Sequence, residues 1–367
     1  MAISTTVVPI SDVKLGIKSE TTFGVVLDND GTNTQAFRQL PVTQATMPTF
    51  NTTRESRLLS GRGLVKNAAD TINTAKNGTV TCPFEMIATP ELLLQHLTMV
   101  TNTYNADGSD VYTVEVDGSN NSSSLGGTIS GALPHTVNLA YFPRASEGIC
   151  VPGCTVSDLT ITGDYSASGG NLMMSGNYFS GHANPNTKGQ SYTGPILEDN
   201  FTGTWVEPDA GVFINMGSLS TKQLDMDSTS NTQDLILKSF SLNIANGVNR
   251  VGSDQYGNAE AYAFPEYVVT GDITVKYDTE IGLAAGNNVL QSFLDGNTTS
   301  LLLKFGDGTV SSESEMNILA EIQTTGAPTQ DVSENGIFFT LPFECVQNSS
   351  TEALKISLFS GTAIGSM

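Results

Sequence analysis

The segment Gly271-Asp-Ile-Thr-Val-Lys-Tyr-Asp278 repeats, position for position in character, an earlier one, Gly78-Thr-Val-Thr-Cys-Pro-Phe-Glu85. In the earlier copy Val80, Cys82, Phe84 and Met86 alternate, which predicts a strand over Thr79–Met86 with one face in a core. A helical pattern follows each copy. Thr89 is placed to cap, Pro90 suits the first helical position, Glu91 favours the dipole, and Leu92, Leu93, His96, Leu97 and Val100 recur at helical spacing. The later counterpart is Val289-Leu-Gln-Ser-Phe-Leu294, stopped by Asp295-Gly296.

The match extends outward. Ser300-Leu-Leu-Leu-Lys-Phe305 echoes Thr136-Val-Asn-Leu-Ala-Tyr141. A predicted hairpin of Val156–Ile161 with Leu172–Tyr178, turned by Gly169-Gly170, closes the first set on Ser180-Gly181. A hairpin of Gly336–Val346 with Ala353–Phe359 is expected to close the second on Ser360-Gly361. Upstream, Phe37–Met47 reads as a strand before a long polar segment, 48–77, and Leu235–Ile244 as a strand before the polar loop Asn246–Glu266. The order strand, long loop, strand, helix, strand, hairpin is kept, so the sequence predicts an internal duplication.

The boundaries that follow are an N-terminal arm at 1–36, a first domain at 37–181, a connector at 182–230 and a second domain at 231–367. Residues 101–135 form a polar excursion within the first domain. The connector holds the single tryptophan, Trp205, which reads as a packing anchor.

Composition points the same way. Charged residues make up only 14% of the chain, below the roughly 25% of an average globular protein. Ser, Thr, Asn and Gly carry the polarity instead, which favours strands and turns. The net charge of −21 argues against tight binding of DNA, RNA or anionic membrane surfaces. The same acidity also serves solubility alone. The N-terminus has no basic region followed by an apolar core, and no apolar run reaches the length of a membrane span. The reading is of a soluble protein made in a cytoplasm.

No catalytic constellation emerges. Cys150 and Cys154 lack a second pair or a nearby histidine, as a zinc site would need, and Cys82 and Cys345 read as small strand hydrophobes. The acidic pairs Glu313/Glu315 and Asp225/Asp227 fall in polar loop sequence, where nothing is expected to bury a carboxylate. No cofactor, metal or catalysis is predicted. Without a family, the remaining readings are a surface or adhesive β-sandwich protein and a structural assembly protein.

Three stretches favour the second. Leu15-Gly16-Ile17-Lys18-Ser19-Glu20-Thr21-Thr22-Phe23-Gly24 resembles the "G-x-x-x-E-x-T-x-G" start of the major tail tube proteins of long-tailed phages, in the subgroup with two tandem tube domains. Ser239-Phe240-Ser241-Leu242-Asn243-Ile244-Ala245-Asn246 is similar to that family's "S-F-x-L-x-I-x-N" strand, and Val269–Val275 to the strand after it. The resemblance implies a mainly β chain with two tail-tube-like sandwiches, each with a flanking short α-helix and a long inter-ring loop. It also implies rings, trimeric and pseudo-hexameric for a duplicated chain, stacked into a hollow tube that delivers DNA without reading its sequence. Inter-ring contacts would fall on Arg54, Glu55, Arg57 and Arg62 in the first loop, on Arg250 in the second, and on Lys14, Lys18 and Glu20 in the arm. Implied partners are further copies of the chain and the tail terminator, tail tip and tape-measure proteins, with no membrane binding.

Overall fold

A computed structural model describes residues 12–20, 23–25, 36–51, 54–56, 71–73, 78–101, 103–106, 111–116, 136–144, 147–184, 194–198, 203–207, 213–225, 233–277, 281–282, 287–306, 310, 315–333, 336–347 and 352–359. The chain is mainly β, with two α-helices among the described residues.

The main sheet is built from both halves. Its order is β3 (Thr49–Asn51), β6 (Thr79–Ile87), β11 (Met173–Ser180), the C-terminal part of β10 (Glu147–Asp164), β16 (Leu237–Ala245), β19 (Val268–Lys276), β25 (Gly336–Cys345) and β24 (Thr329–Ser333). Over the first half lies a sheet of β13 (Thr204–Val206), β2 (Ala36–Gln39), β1 (Lys14–Ser19), β9 (Val137–Arg144), the N-terminal part of β10 and β12 (Ile196–Glu198). The second half has β15 (Gln233–Asp234), β14 (Leu219–Asp225), β22 (Thr298–Phe305), β23 (Met316–Thr324), β26 (Leu354–Phe359), β8 (Val111–Val116) and β7 (Thr103–Ala106). Small pairs complete the set: β4 (Arg54–Ser56) with β5 (Thr71–Asn73), β17 (Asn249–Val251) with β18 (Ala261–Ala263), and β20 (Ile281–Gly282) with β21 (Asn287–Asn288).

One pairing scheme runs through both halves. In the first, β6 pairs with β11, β11 with the end of β10, the start of β10 with β9 and β12, and β9 with β1. In the second, β19 pairs with β25, β25 with β24 and β23, β23 with β22 and β26, and β22 with β14. The single long β10 is therefore matched by β23 and β24 with residues 325–328 between them. Phe50 faces Val80 as Phe240 faces Ile273, so β3 corresponds to β16.

Helix α1 (Pro90–Val100) starts as its sequence dictates: the backbone N–H of Leu92 donates to Thr89 Oγ1 at 3.3 Å, and Pro90 opens the first turn. The apolar spacing predicts a single buried stripe, yet all eleven residues are buried. The helix packs on β10 and also touches β8 and β26. His96 pays no charge penalty there. Its Nδ1 donates to the Leu92 carbonyl at 2.6 Å, its Nε2 accepts from the Tyr178 hydroxyl at 2.6 Å, and burial lowers its pKa to about 4. Helix α2 (Val289–Asp295) is shorter, and Leu290 and Leu294 on it are exposed.

Several expectations are corrected. Lys14–Ser19 is an inner strand between β2 and β9, because Leu15 and Ile17 belong in the core, so the arm cannot include it. The excursion at 101–135 contains β7 and β8, whose alternating Tyr112, Val114 and Val116 are buried and pair across to the second half. The connector contributes β12, β13 and β14 to the sheets. Gly336–Cys345 does not pair with Leu354–Phe359: β25 forms its hairpin with β24, and β26 instead fills the edge of β23. Glu315 is buried rather than solvated, and Asp225 lies at the end of a strand; Glu313 and Asp227 fall outside the described residues.

Close backbone approach is tested at Gly271. A Cβ there would sit 2.3 Å from the Ser241 carbonyl oxygen and 2.6 Å from the Phe343 ring, which covers the glycine from the paired strand. Gly271→Ala is expected to lose about 1–3 kcal/mol of unfolding free energy, read by urea denaturation. A loss within the error of the wild type would show that the strands part freely here.

Candidate assembly interface

The seam joining the two halves is a strand pairing. Asp158–Asp164 of β10 lies antiparallel to Ser239–Ala245 of β16, with Leu159 opposite Ile244 and Ile161 opposite Leu242, all four in the common core. The other face is polar: Asn243 Nδ2 donates to Thr160 Oγ1 at 2.8 Å across the same seam. The helix of the first half reinforces the junction by reaching β26 and β8 of the other sheet. There Lys355 and Glu115 pair at 2.7 Å, and Thr113 and Ser357 hydroxyls meet at 3.0 Å.

The loop between β16 and β19 clamps the seam. The Tyr262 hydroxyl donates to the Gly153 carbonyl at 2.5 Å and accepts from the Gly181 N–H at 2.7 Å, while Phe23 stands edge-on to its ring at 5.0 Å. Asn258 and Asn184 exchange two hydrogen bonds, at 3.0 and 3.1 Å. Arg250 donates to the carbonyls of Gly78, Gly252 and Gly257, each at 3.2 Å. Its guanidinium therefore fastens the loop to the start of β6 in its own chain. The inter-ring role expected for it competes with these bonds.

Glu20 explains the opening motif. Its carboxylate accepts from the Gly24 N–H (3.1 Å) and Thr136 hydroxyl (2.7 Å) on one oxygen. The other oxygen accepts from Asn138 Nδ2 (3.0 Å) and the Gly153 N–H (2.5 Å). The chain turns at Gly24 (φ +69), where a Cβ would meet the His182 ring at 2.2 Å. Gly16, the first residue of the motif, lies under Trp205, whose ring would be 2.5 Å from a Cβ. Trp205 also packs against Phe37 and Phe142, with Lys14 Nζ 5.4 Å from its ring centre, as an anchor should. Burial raises the Glu20 pKa from 4.5 to about 7 against the pull of its hydrogen-bond donors. Glu20 is thus a structural clasp just past the end of β1, and Lys18, whose pKa burial lowers, sits within that inner strand.

The main sheet turns one face away from the core. The cross-strand row Glu85, Ser175, Thr160, Asn243, Thr270, Glu344 runs across it in register. Asp158, Asp164 and Asp272 stand on the same face, and Lys238 and Lys276 lie at one end of it. A polar depression of about 380 Å³ opens here between Thr43, Glu85, Asp158, Ser175 and Asn177. Hydroxyls and carboxylates line it, with no histidine, lysine or cysteine among the described lining residues. Among the described pairings β3 meets only β6 and β24 meets only β25, so the sheet has two unpaired margins.

Of the other expected contacts, Arg54 and Glu55 lie on β4, while Arg57 and Arg62 fall outside the described residues. The seam residues Leu159, Ile244, Tyr262 and Asn258 were missed by sequence reading. Their signal is ordinary strand alternation and a loop asparagine, neither of which marks an interface.

A family model described as phage tail tube protein matches residues 10–345, most of the chain. No curated protein matches the chain by sequence. Among the described residues no helix is long and apolar enough to cross a membrane.

The clasp has a pH signature. Because the folded-state pKa of Glu20 lies above its ordinary 4.5, its contribution is complete below pH 4.5 and is lost as pH rises through about 7. The stability difference between wild type and Glu20→Gln should therefore shift against the wild type by about 3 kcal/mol at most between these limits. Urea titrations of both proteins from pH 4 to 8 measure it; a pH-independent difference would mean that folded Glu20 keeps its ordinary pKa.

Proposed function

The chain belongs to the phage tail tube protein family, and from that premise we propose that it polymerises as stacked rings into the hollow tube through which the phage genome is delivered. Family membership makes it a structural component of the virion tail and not an enzyme. In the proposed assembly, residues 37–181 and 231–367 act as tandem tube domains, supplemented by β1 and by the strands drawn from 182–230. Three chains supply six domains, giving a trimeric ring with pseudo-hexameric symmetry.

The observation that carries this reading is the β10–β16 seam together with the two unpaired margins. A sheet already continuous across two like halves, and open at both ends, closes when identical chains add end to end. The contact is head to tail, so it forms rings where the rotation closes. The acidic, hydroxyl-rich face of the main sheet supports a lumen that repels DNA and lets it slide. Ring stacking is assigned to the first long loop, with Arg54, Glu55, Arg57 and Arg62, since Arg250 is engaged within its own chain. The tail terminator, tail tip and tape-measure proteins would meet the tube at its ends and in its bore. Synthesis is placed in the host cytoplasm.

Electron microscopy of the purified, concentrated chain is expected to show hollow tubes or stacked rings with threefold symmetry. Duplex DNA should not be retained by them at low salt. Monodisperse single chains under every condition would favour a surface or adhesive sandwich instead.

A further inference from the structure

The corner clasped by Glu20 also brings a lysine and an asparagine together beside that carboxyl group. Lys18 on β1 stands directly opposite Asn138 on β9. Leu15 and Ile17 enter the main core from one side of β1, and Val137 and Leu139 enter it from the same side of β9. By strand alternation Lys18 and Asn138 leave the other side as a facing pair. The Cβ atoms of such a pair lie about 5 Å apart, a gap that the four-carbon stem of lysine spans. The pairing continues past the end of β1, where the Glu20 N–H donates to the Thr136 carbonyl at 3.3 Å. Glu20 is therefore the next residue after Lys18 on that side.

The asparagine amide is only half engaged. Asn138 is fully buried, and its Nδ2 donates to Glu20 Oε1 at 3.0 Å and to the Val25 carbonyl at 3.2 Å. Its Oδ1 is buried as well, and among the described residues it accepts no hydrogen bond. Ala140 and Phe142, next along the same side of β9, belong to the apolar cluster with Phe37 and Trp205. An apolar setting favours uncharged forms. Burial accordingly lowers the Lys18 pKa and raises that of Glu20 to about 7. Lys355 shows the contrast. Its amine meets Glu115 at 2.7 Å, which raises its pKa, and the residue opposite it on β23 is Leu319 rather than an amide.

We propose that Lys18 and Asn138 form a site of self-modification, at which the two side chains condense into an intramolecular isopeptide bond with Glu20 carrying the proton. Lys18 Nζ, as the neutral amine, attacks Cγ of Asn138. Glu20 Oε1 takes a proton from the attacking nitrogen and gives one to Nδ2, with which it is already in contact. The Cγ–Nζ bond forms, the Cγ–Nδ2 bond breaks, and ammonia leaves. No oxidant, metal or second substrate enters, and Glu20 ends in the state in which it began. The product ties β1 to β9 covalently, close to the Gly153 kink that the same carboxylate holds. A pull on β1 is then resisted by a covalent bond as well as by the strand pairing. The bond forms whether or not the chain assembles into tubes.

Mass spectrometry of the folded full chain, kept at neutral pH, is the test. Wild type should weigh one ammonia less than its sequence, after allowing for removal of Met1. Digestion should release a branched peptide that joins the segments around Lys18 and Asn138. Lys18→Arg, a conservative change on a partly exposed side chain, should restore the full mass. Asn138→Asp should still link, now with loss of water. Glu20→Gln should slow linkage by about a hundredfold or more; if that variant fails to fold, Lys18→Arg and Asn138→Asp still decide. Succinimide formation at Asn246-Gly247 also releases ammonia, but it survives Lys18→Arg and yields no branched peptide. A wild type of full sequence mass with no branched peptide overturns the proposal. A bond that forms equally fast in folded Glu20→Gln overturns the role given to Glu20.

Discussion

The pivot of the molecule is the backbone of Gly153 inside β10. The strand pairs with β9 and β12 up to Cys154 and with β11 and β16 from Thr155 onward, so one continuous segment serves two sheets. The change of partner needs a register shift between Val151 and Cys154, and Gly153 supplies it with φ +63. A kink of this kind strands one backbone donor and one acceptor, and unpaired buried groups are costly. Glu20 takes the N–H and Tyr262 the carbonyl. One comes from the N-terminal corner and the other from the loop of the second half. The kink is therefore where the opening motif, the two-sheet layout and the joint between halves are tied together.

Charge plays a quieter role than the net value of −21 implies. The described ion pairs are few, and Arg38 with Glu91 is the pair that is mostly buried. Stability rests on apolar rows such as Leu15, Ile17, Leu139 and Val151, with hydroxyl and amide bonds on the polar faces. The acidic surplus is left on the surface, part of it on the outward face of the main sheet. There it acts at a distance, through repulsion, rather than through contacts.

Much of this was legible in the sequence where local physics decides. Alternation placed β6, the internal match placed β19 and β22, and capping chemistry placed α1 at Pro90. The match of Gly78–Glu85 with Gly271–Asp278 falls on strands with corresponding pairings, β6 and β19. What failed depended on partners distant in the chain. Lys14–Ser19 reads as polar turn sequence because Gly16, Lys18 and Ser19 interrupt its apolar residues, yet two neighbours make it an inner strand. Val111–Val116 sits in a Ser/Asn-rich excursion, and only β26, far along the chain, reveals it as sheet. The last hairpin was mispaired because β25 and β26 both alternate cleanly, and alternation fixes a strand's faces without naming its neighbour. The opening motif was recognised as a pattern. That its glutamate is a clasp and not an arm contact needed coordinates.

The difference between the filled seam and the open margins follows from when each must form. The internal seam has a full run of paired residues, Asp158–Asp164 on β10 against Ser239–Ala245 on β16. The margins are slight by comparison: β3 spans Thr49–Asn51 and β24 spans Thr329–Ser333. Covalent linkage holds the halves at high effective concentration, so a long seam forms within the chain without loss of translational freedom. In the proposed assembly the margins must remain unpaired while free chains accumulate, and short edge strands bearing charge resist indiscriminate pairing. Asp331, in the middle of β24, supplies such a charge and is held by Lys238 at 3.8 Å. On the proposed assembly, the strand pairing at a margin is too brief to hold a ring alone.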